Sequence, residues 1–515
     1  MKKRAVVTIV MMLLCLVSGC AESKEQPLIQ DKYRNYYEIF VYSFCDSNGD
    51  GIGDLNGITS KLDYLEELGV DGIWLTPIMP SDTTHKYNVE DYMEIDSTFG
   101  TMNDFNHLME ECDKRGISVI IDLVVNHTST KHPWFLKALE EIKAGNPSKY
   151  ANYYSFAQTE KEKNSLDDEG GYYATGIGNY MYEYAFTDNM AALNLENKEV
   201  VDEINNIAKY WLEKGVSGFR LDAVRHYCFD QQKSIDFLAN FYEYCQTINP
   251  EVYMVGEVFS SGSMIETFYG ADIDSYFNFM FAKNDGRVIS SLRSRGGADF
   301  VQSLYKWQER ICKVNPFYID ANFLSNHDTD RYFGILGRDI VKQKMATSMY
   351  LMMPGNSFTY YGEEIGLLGS GHDANKRAPM VWSTETKEER STPIPESDNI
   401  PEIEKGVKEQ EKEKDSLLSF YKKVLHIKKQ NPEIARGRIE PIAIEDRQIG
   451  AYVTKYNDSQ VIIIHNLGDQ TKTITLDKNS YGYSKIKESI LTGNERAILK
   501  GSELTLPPMS TIILK

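Results

Sequence analysis

The sequence predicts an α/β protein built on a (β/α)8 TIM barrel, with a small domain inserted after the third strand and an all-β domain at the C-terminus. Three observations carry this. From residue 36 onward, short apolar runs alternate with helix-length amphipathic segments, and eight strand-then-helix units can be counted. The runs are apolar on both faces, as parallel strands covered by helices must be. Four of them end in charged or amide side chains, and in a barrel the C-terminal strand ends are where working groups stand.

The elements follow in order. "MKKRAVVTIVMMLLCLVSGC" has a basic start, an apolar run and small residues before Cys20, the pattern of a secretory signal. Its ending resembles a bacterial lipobox. Residues 1–19 are therefore expected to be a lipoprotein signal peptide, with Cys20 lipidated and the polar stretch 20–33 as a tether. The protein is expected outside the cytoplasm, on the cell membrane only through that lipid. Residues 34–127 carry the first barrel units: "YYEIFVYSF" and "ITSKLDYLEELG", "DGIWLTP" and "DFNHLMEECDKRG", then "SVIIDLVVNH". The stretch 128–195 is too long for an ordinary βα loop and reads as the inserted domain. Residues 196–432 complete the barrel, from "EVVDEINNIAKYWLEKG" and "GFRLDAV" through "VYMVGEV", "DSYFNFMFA", "FVQSLYKWQERICK", "IDANFLSNHD" and "NSFTYYG" to "SLLSFYKKVLHIKKQ". Within it, the Pro- and charge-rich segment 391–415 is expected to be an exposed excursion. From 433 to 515 the pattern turns to alternating strands, a β-sandwich.

Composition narrows the function. The formal charge is −19 over 515 residues, with no long Lys/Arg block, which argues against a nucleic-acid partner. Five cysteines beyond the signal, Cys45, Cys112, Cys228, Cys245 and Cys312, are scattered and form no CxxC pair. They read as small buried hydrophobes rather than a disulfide framework or a zinc site. A monomer is expected.

"DSNGDGIGDLNG" (46–57) resembles an EF-hand loop. Asp46, Asn48, Asp50, the Ile52 carbonyl and Asp54 fall at ligand positions one, three, five, seven and nine, a hard-oxygen set suited to calcium. Gly57 stands where an EF-hand has its bidentate Glu, and the preceding segment is a strand. The loop therefore reads as a structural calcium staple rather than a sensor.

Three carboxylates, Asp222, Glu257 and Asp328, stand at strand ends and should converge on one barrel mouth. Two suffice for glycoside hydrolysis, one attacking or activating water and the other protonating the leaving oxygen. Arg220 lies two residues before Asp222, so both side chains face one way. Negative neighbours should raise the Glu257 pKa towards that of a working acid.

"DLVVNH", "GFRLDAVRH", "GEVF" and "FLSNHD", with "GVDGIWLTP" and "YYGEEIG", closely resemble the signature stretches of the α-amylase family, glycoside hydrolase family 13. The resemblance runs from about residue 34 to the end and is closest to a secreted bacterial lipoprotein α-amylase. It implies a retaining mechanism with Asp222 as nucleophile, Glu257 as general acid/base and Asp328 binding sugar hydroxyls. His127, Arg220 and His327 would line the sugar subsite, and Arg225 and His226 the leaving-group side. "HKYNVEDY" resembles the family's "HGYDVxDY", making Tyr87 a sugar-stacking platform, with Lys86 and Asn88 departing from the pattern. Several members carry calcium in the loop after the first strand. Asn126 matches a second calcium position, although Ala192 replaces the acidic residue of that site. Val224 goes with α-1,4 linkages. The resemblance thus implies an α-amylase acting on α-glucan, with an exo-acting α-glucosidase, a maltodextrin transglycosylase and an inactive glycan-binding homologue as alternatives.

Overall fold

The computed structural model describes residues 31–164 and 169–515. The signal segment, Cys20 and most of the tether lie outside the described residues.

Eight short parallel strands form the central sheet: β1 (Asn35–Ile39), β2 (Gly72–Leu75), β3 (Ser118–Leu123), β4 (Gly218–Leu221), β5 (Tyr253–Gly256), β6 (Ser275–Tyr276), β7 (Ala321–Phe323) and β8 (Asn356–Tyr360). The hydrogen-bonded order is β6-β5-β4-β3-β2-β1-β8-β7. A single parallel bridge between Phe277 and Ala321 joins the two ends, so the sheet is a nearly closed barrel. All but one of the barrel-strand residues are buried, which explains their unbroken apolar character.

Aromatic side chains fill the barrel in layers. The Tyr36 ring stacks on Tyr253 at 5.3 Å and on Phe358 at 4.8 Å between centroids. Gly72 lies beside Tyr36, and a Cβ there would come within 2.5 Å of that ring, so only glycine fits. One layer up, Phe277 packs on Trp74 at 5.2 Å and on Phe358 at 4.9 Å. Side chains alternate in direction along a strand. The next inward positions, Glu38, Asp122 and Arg220, therefore sit just under the mouth.

The elements follow the expected rhythm with several differences. Val41–Phe44, read from the sequence as strand, is a single helical turn after β1. The first barrel helix is split at Lys61 into Leu55–Ser60 and Leu62–Leu68. The sixth strand spans only two residues. A helix not read from the sequence, Arg287–Ser294, precedes Gly297–Val314. The helix Lys198–Glu213 shows the general logic. Asn197 caps it by accepting from the Glu199 N–H, and its 3.6-residue period buries Val200, Ile204, Ile207, Ala208 and Trp211.

The segment 391–415 is mostly exposed, as expected, but it is pinned to the barrel at a few points. Ile394 and Val407 are buried, and the Thr392 N–H and hydroxyl both donate to the Gly51 carbonyl, at 2.7 and 2.9 Å. Its charged residues face solvent while sparse apolar residues pin it down.

Between β3 and the Lys198–Glu213 helix, a helix (Pro133–Lys143) and short antiparallel strands form a small sheet; Met181–Tyr184 pairs with Phe156–Ala157, Gly171–Ala174 and Met190–Ala192. The C-terminal region is two antiparallel sheets, one five-stranded and one three-stranded. They share a core of Ile462, Ile464, Ile512, Leu504 and Leu506 among others, the packing of a β-sandwich. The barrel helix Gly297–Val314 meets this region directly. The Gln308 amide donates to the Ile439 carbonyl at 3.1 Å and accepts from its N–H at 2.8 Å. The described cysteines are all free thiols.

Candidate active site

The barrel mouth is organised around one cation. Arg220, fully buried on β4, donates from Nη1 to Asp122 at 2.9 Å and makes a very short contact with Asp222. Its Nη2 lies 2.8 Å from Glu257 Oε2. Three carboxylates from three adjacent strands thus share one guanidinium. The planar fork suits this role, since it offers several donors in fixed directions. Its Cζ lies over the Trp74 ring, 5.4 Å from the centroid.

The chain turns sharply after Asp222. Ala223 takes a left-handed conformation, φ +46°, uncommon for a residue with a Cβ. That turn aims the Ala223 N–H at Glu257 Oε2, 3.1 Å away, while the Val224 N–H donates to the Glu257 carbonyl. Strained backbone here fixes the distance between the ends of β4 and β5.

A second string of contacts crosses the mouth. The Tyr87 hydroxyl donates to Asp122 at 2.9 Å and lies 2.7 Å from His327 Nε2. The same ring nitrogen is 2.9 Å from Asp328 Oδ2. Arg377 Nη2 donates to Asp328 Oδ1, and Arg377 Nε donates to the His327 carbonyl. His127 bonds through Nε2 to the Tyr87 carbonyl at 3.1 Å. The Phe186 ring, from the inserted segment, packs edge-on against both His127 and His226. Arg225 and His226 lie on the short 3-10 turn Val224–His226, which follows Asp222.

These surroundings shift the titrating groups. Burial pushes Glu257 up from the carboxylate range; Arg220 opposes this, and Asp222 and Asp328 reinforce it. The expected negative neighbours are present, but desolvation acts more strongly than they do. Burial also pushes Asp122 up to about 7. Asp328 moves the other way: burial is outweighed by His327 and Arg377, which hold it well below the usual range. Burial keeps His127 low.

The predicted site residues Tyr87, His127, Arg220, Asp222, Glu257, His327 and Asp328 are therefore brought into one continuous set of contacts. Sequence reading missed Arg377, Phe186 and Glu38. Lys86 occupies a position with φ +66°, which explains why the family pattern has glycine there. A buried ion pair with Asp96 at 2.7 Å holds it.

The loop 46–54 is a chain of side-chain-to-backbone turns. Asp46 accepts from the N–H groups of Asn48, Gly49 and Gly51, Asn48 from Asp50, and Asp50 from Ile52. Asp54 caps the helix Leu55–Ser60 by accepting from Gly57 and also receives Ser47. The donor set is all oxygen and fits a hard cation in kind. Among the described residues, no group of three or more His, Cys, Asp or Glu is placed to hold a metal ion. Asn126 is buried with its Nδ2 unpaired. It lines a cavity of about 290 Å³ with Glu183, Asn194, Glu196 and Ala192, and Ala192 brings no oxygen-bearing side chain to it.

Comparison with known proteins agrees with this geometry. Residues 38–437 match the family described as alpha amylase, catalytic domain, and residues 449–513 match the alpha-amylase SusG C-terminal domain. Alpha-amylase 3 of Dictyoglomus thermophilum is 37% identical over 488 residues, covering 94% of this chain and 93% of its own. A probable oligo-1,6-glucosidase of Bacillus subtilis is 28% identical, covering 89% and 93%. Among solved structures, Eubacterium rectale Amy13B superposes with a TM-score of 0.89 at 37% identity, covering 95% of this chain and 96% of that one. An alpha-amylase from H. orenii gives 0.84 at 35% identity, covering 94% and 99%. With its barrel, its mouth and most of its length accounted for, the chain belongs to the α-amylase family of glycoside hydrolases.

Proposed function

We propose that this protein is an α-amylase, a retaining hydrolase of α-1,4-glucosidic bonds in starch and maltodextrins. The observation that carries this is the sharing of one guanidinium by Asp222 and Glu257. Both carboxyls lie within reach of a single planar fork, which favours the ~5–5.5 Å spacing of retaining enzymes over the ~6.5–9.5 Å that leaves room for an attacking water.

In this reading the Asp222 carboxylate attacks the anomeric carbon while Glu257 gives its proton to the departing glycosidic oxygen. A glycosyl ester on Asp222 results. Glu257, now ionised, takes a proton from water as that water attacks the anomeric carbon. The ester breaks, the sugar leaves with its configuration retained, and both carboxyls return to their starting states. Asp328, held ionised by its cationic neighbours, accepts from sugar hydroxyls and stabilises positive charge at the anomeric centre. Tyr87 and His127 line the ring that is cleaved, and Arg225 and His226 face the leaving group.

Val224 supports the α-1,4 preference, as does likeness to an alpha-amylase at 37% identity. Relatives named oligo-1,6-glucosidases at 28–29% make an exo-acting glucosidase the second reading. Chromatography of the first products from soluble starch decides between them. A ladder of oligomers supports endo action, release of one small sugar supports the exo alternative, and no cleavage of any α-glucan removes both. Calcium in the Asp46–Asp54 loop and a lipid on Cys20 are parts of the same proposal. They would stiffen the β1 loop and hold the enzyme at the outer face of the membrane.

A further inference from the structure

Glu38 is a carboxylate at the next-to-last position of β1, 1% exposed and two residues after Tyr36 on the inward face. One of its oxygens, Oε1, faces two donor positions of His327: ring Nδ1 at 2.7 Å and the backbone N–H at 3.2 Å. The opposite ring nitrogen, Nε2, faces Asp328 Oδ2 at 2.9 Å and the Tyr87 hydroxyl at 2.7 Å, whose own proton goes to Asp122. An ionised carboxylate only accepts hydrogen bonds. A ring set between two of them satisfies both only when each nitrogen carries a proton.

The other neighbours are consistent with a cation. From β2, the Trp74 ring meets the imidazole at 5.7 Å between centroids, and Tyr87 stacks on it at 5.6 Å. Asp122 on β3 and Arg220 on β4 reach it through the Tyr87 hydroxyl. Arg377, following β8, binds the His327 carbonyl and Asp328 rather than the ring. Burial works against charge on the ring, but Asp328 and Glu38 outweigh it and bring His327 up to about 10. Burial likewise pushes Glu38 up, against the pull of three contributions from His327.

We propose that Glu38 is a positioning residue that locks His327 as a doubly protonated bridge between Glu38 and Asp328, thereby fixing the orientation of Asp328. The role of Asp328 rests on the α-glucan hydrolase reading; the state of the ring does not.

Histidine-selective ¹⁵N labelling tests the ring directly, with the His327→Gln variant assigning its signals. Protonated shifts at both ring nitrogens are expected in the native protein up to about pH 9, well above the ~6.5 of a free histidine. In Glu38→Gln, which keeps a hydrogen-bond acceptor but no charge, one nitrogen should lose its proton by about pH 8. On a maltooligosaccharide, kcat/KM of Glu38→Gln should fall at least about tenfold more at pH 8 than at pH 5.5 relative to the native enzyme. A merely structural role would lower both alike. A native His327 that is neutral at pH 7 overturns the proposal, and so does a Glu38→Gln pH profile parallel to the native one. Should Glu38→Gln fail to fold, the native titration alone decides. If the native protein cleaves no α-glucan, the substrate reading falls while the ring titration still tests the bridge.

Discussion

Arg377 Nη2 donates to Asp328 Oδ1 at 2.9 Å across 49 residues of sequence. The guanidinium also binds the His327 carbonyl, so one side chain holds two consecutive residues of the "NHD" strand end. Arg377→Ala should remove a charge-assisted contact of about 1.5–3 kcal/mol, lowering kcat/KM on maltooligosaccharides by roughly 10- to 150-fold. Steady-state kinetics at substrate levels well below KM give the answer. A loss under about threefold would mean that His327 orients Asp328 unaided.

Asp222→Asn should lose nearly all turnover while sugar binding survives, because the amide leaves Arg220 and the pocket in place but cannot attack. Retention of more than about a tenth of native kcat, a change under about 1.4 kcal/mol, would falsify its role as nucleophile. Binding of an unreacted maltooligosaccharide by calorimetry separates lost chemistry from lost fold.

Glu363 is buried on the turn that follows β8, accepting from the Tyr421 hydroxyl at 2.7 Å. Burial raises it from 4.5 to about 8. Between those values the folded state keeps a proton that the unfolded chain has released, so stability falls as pH rises through this window. Glu363→Gln carries no such proton. From about pH 5.5 to 8.5 its Tm should fall by a few degrees less than that of the native protein. Parallel melting curves across the window would show that Glu363 does not titrate there.

Calcium bound to the Asp46–Asp54 loop would stabilise only the folded state. Chelator should lower the Tm, and calcium at ~100 times its dissociation constant should restore about 2.7 kcal/mol. Asp50→Ala should abolish most of that response, with any loss of activity vanishing at low temperature. Indifference of a metal-free protein to both treatments would make the loop a self-bonded turn.

Cys20→Ala should move the protein from the membrane fraction to the medium, or block removal of the signal peptide, because a lipid on that thiol is the proposed attachment. Unchanged fractionation with the signal retained would count against the lipobox reading.

The barrel was legible because its signal is distributed. Eight apolar strands each repeat the same statement, and polar residues at four strand ends mark the mouth. Asp222, Glu257 and Asp328 could be named for that reason. Arg377 could not, since it comes from an irregular stretch after β8 where a lone arginine looks like any surface residue. Glu38 reads only as a strand position until the fold brings His327 beside it. Phe186 likewise acquires meaning when the inserted segment folds back over two histidines. The helix Arg287–Ser294 escaped notice because three serines dilute its apolar stripe. The charges of the segment 391–415 gave its exposure correctly but hid Ile394 and Val407, the residues that pin it down.

The Gln308 contact with Ile439 has a consequence beyond docking two regions. The strand Arg438–Ile442 is the rim of its sheet, and an uncovered rim invites pairing with a strand of another molecule. Gln308 occupies both backbone groups of Ile439 much as a neighbouring strand would. Pro441, on the same rim, has no N–H to offer, and Glu440 adds a charge paired with Lys455. The barrel thereby covers this rim, so a fragment cut free of the Gly297–Val314 helix should expose a strand edge that the whole chain keeps occupied.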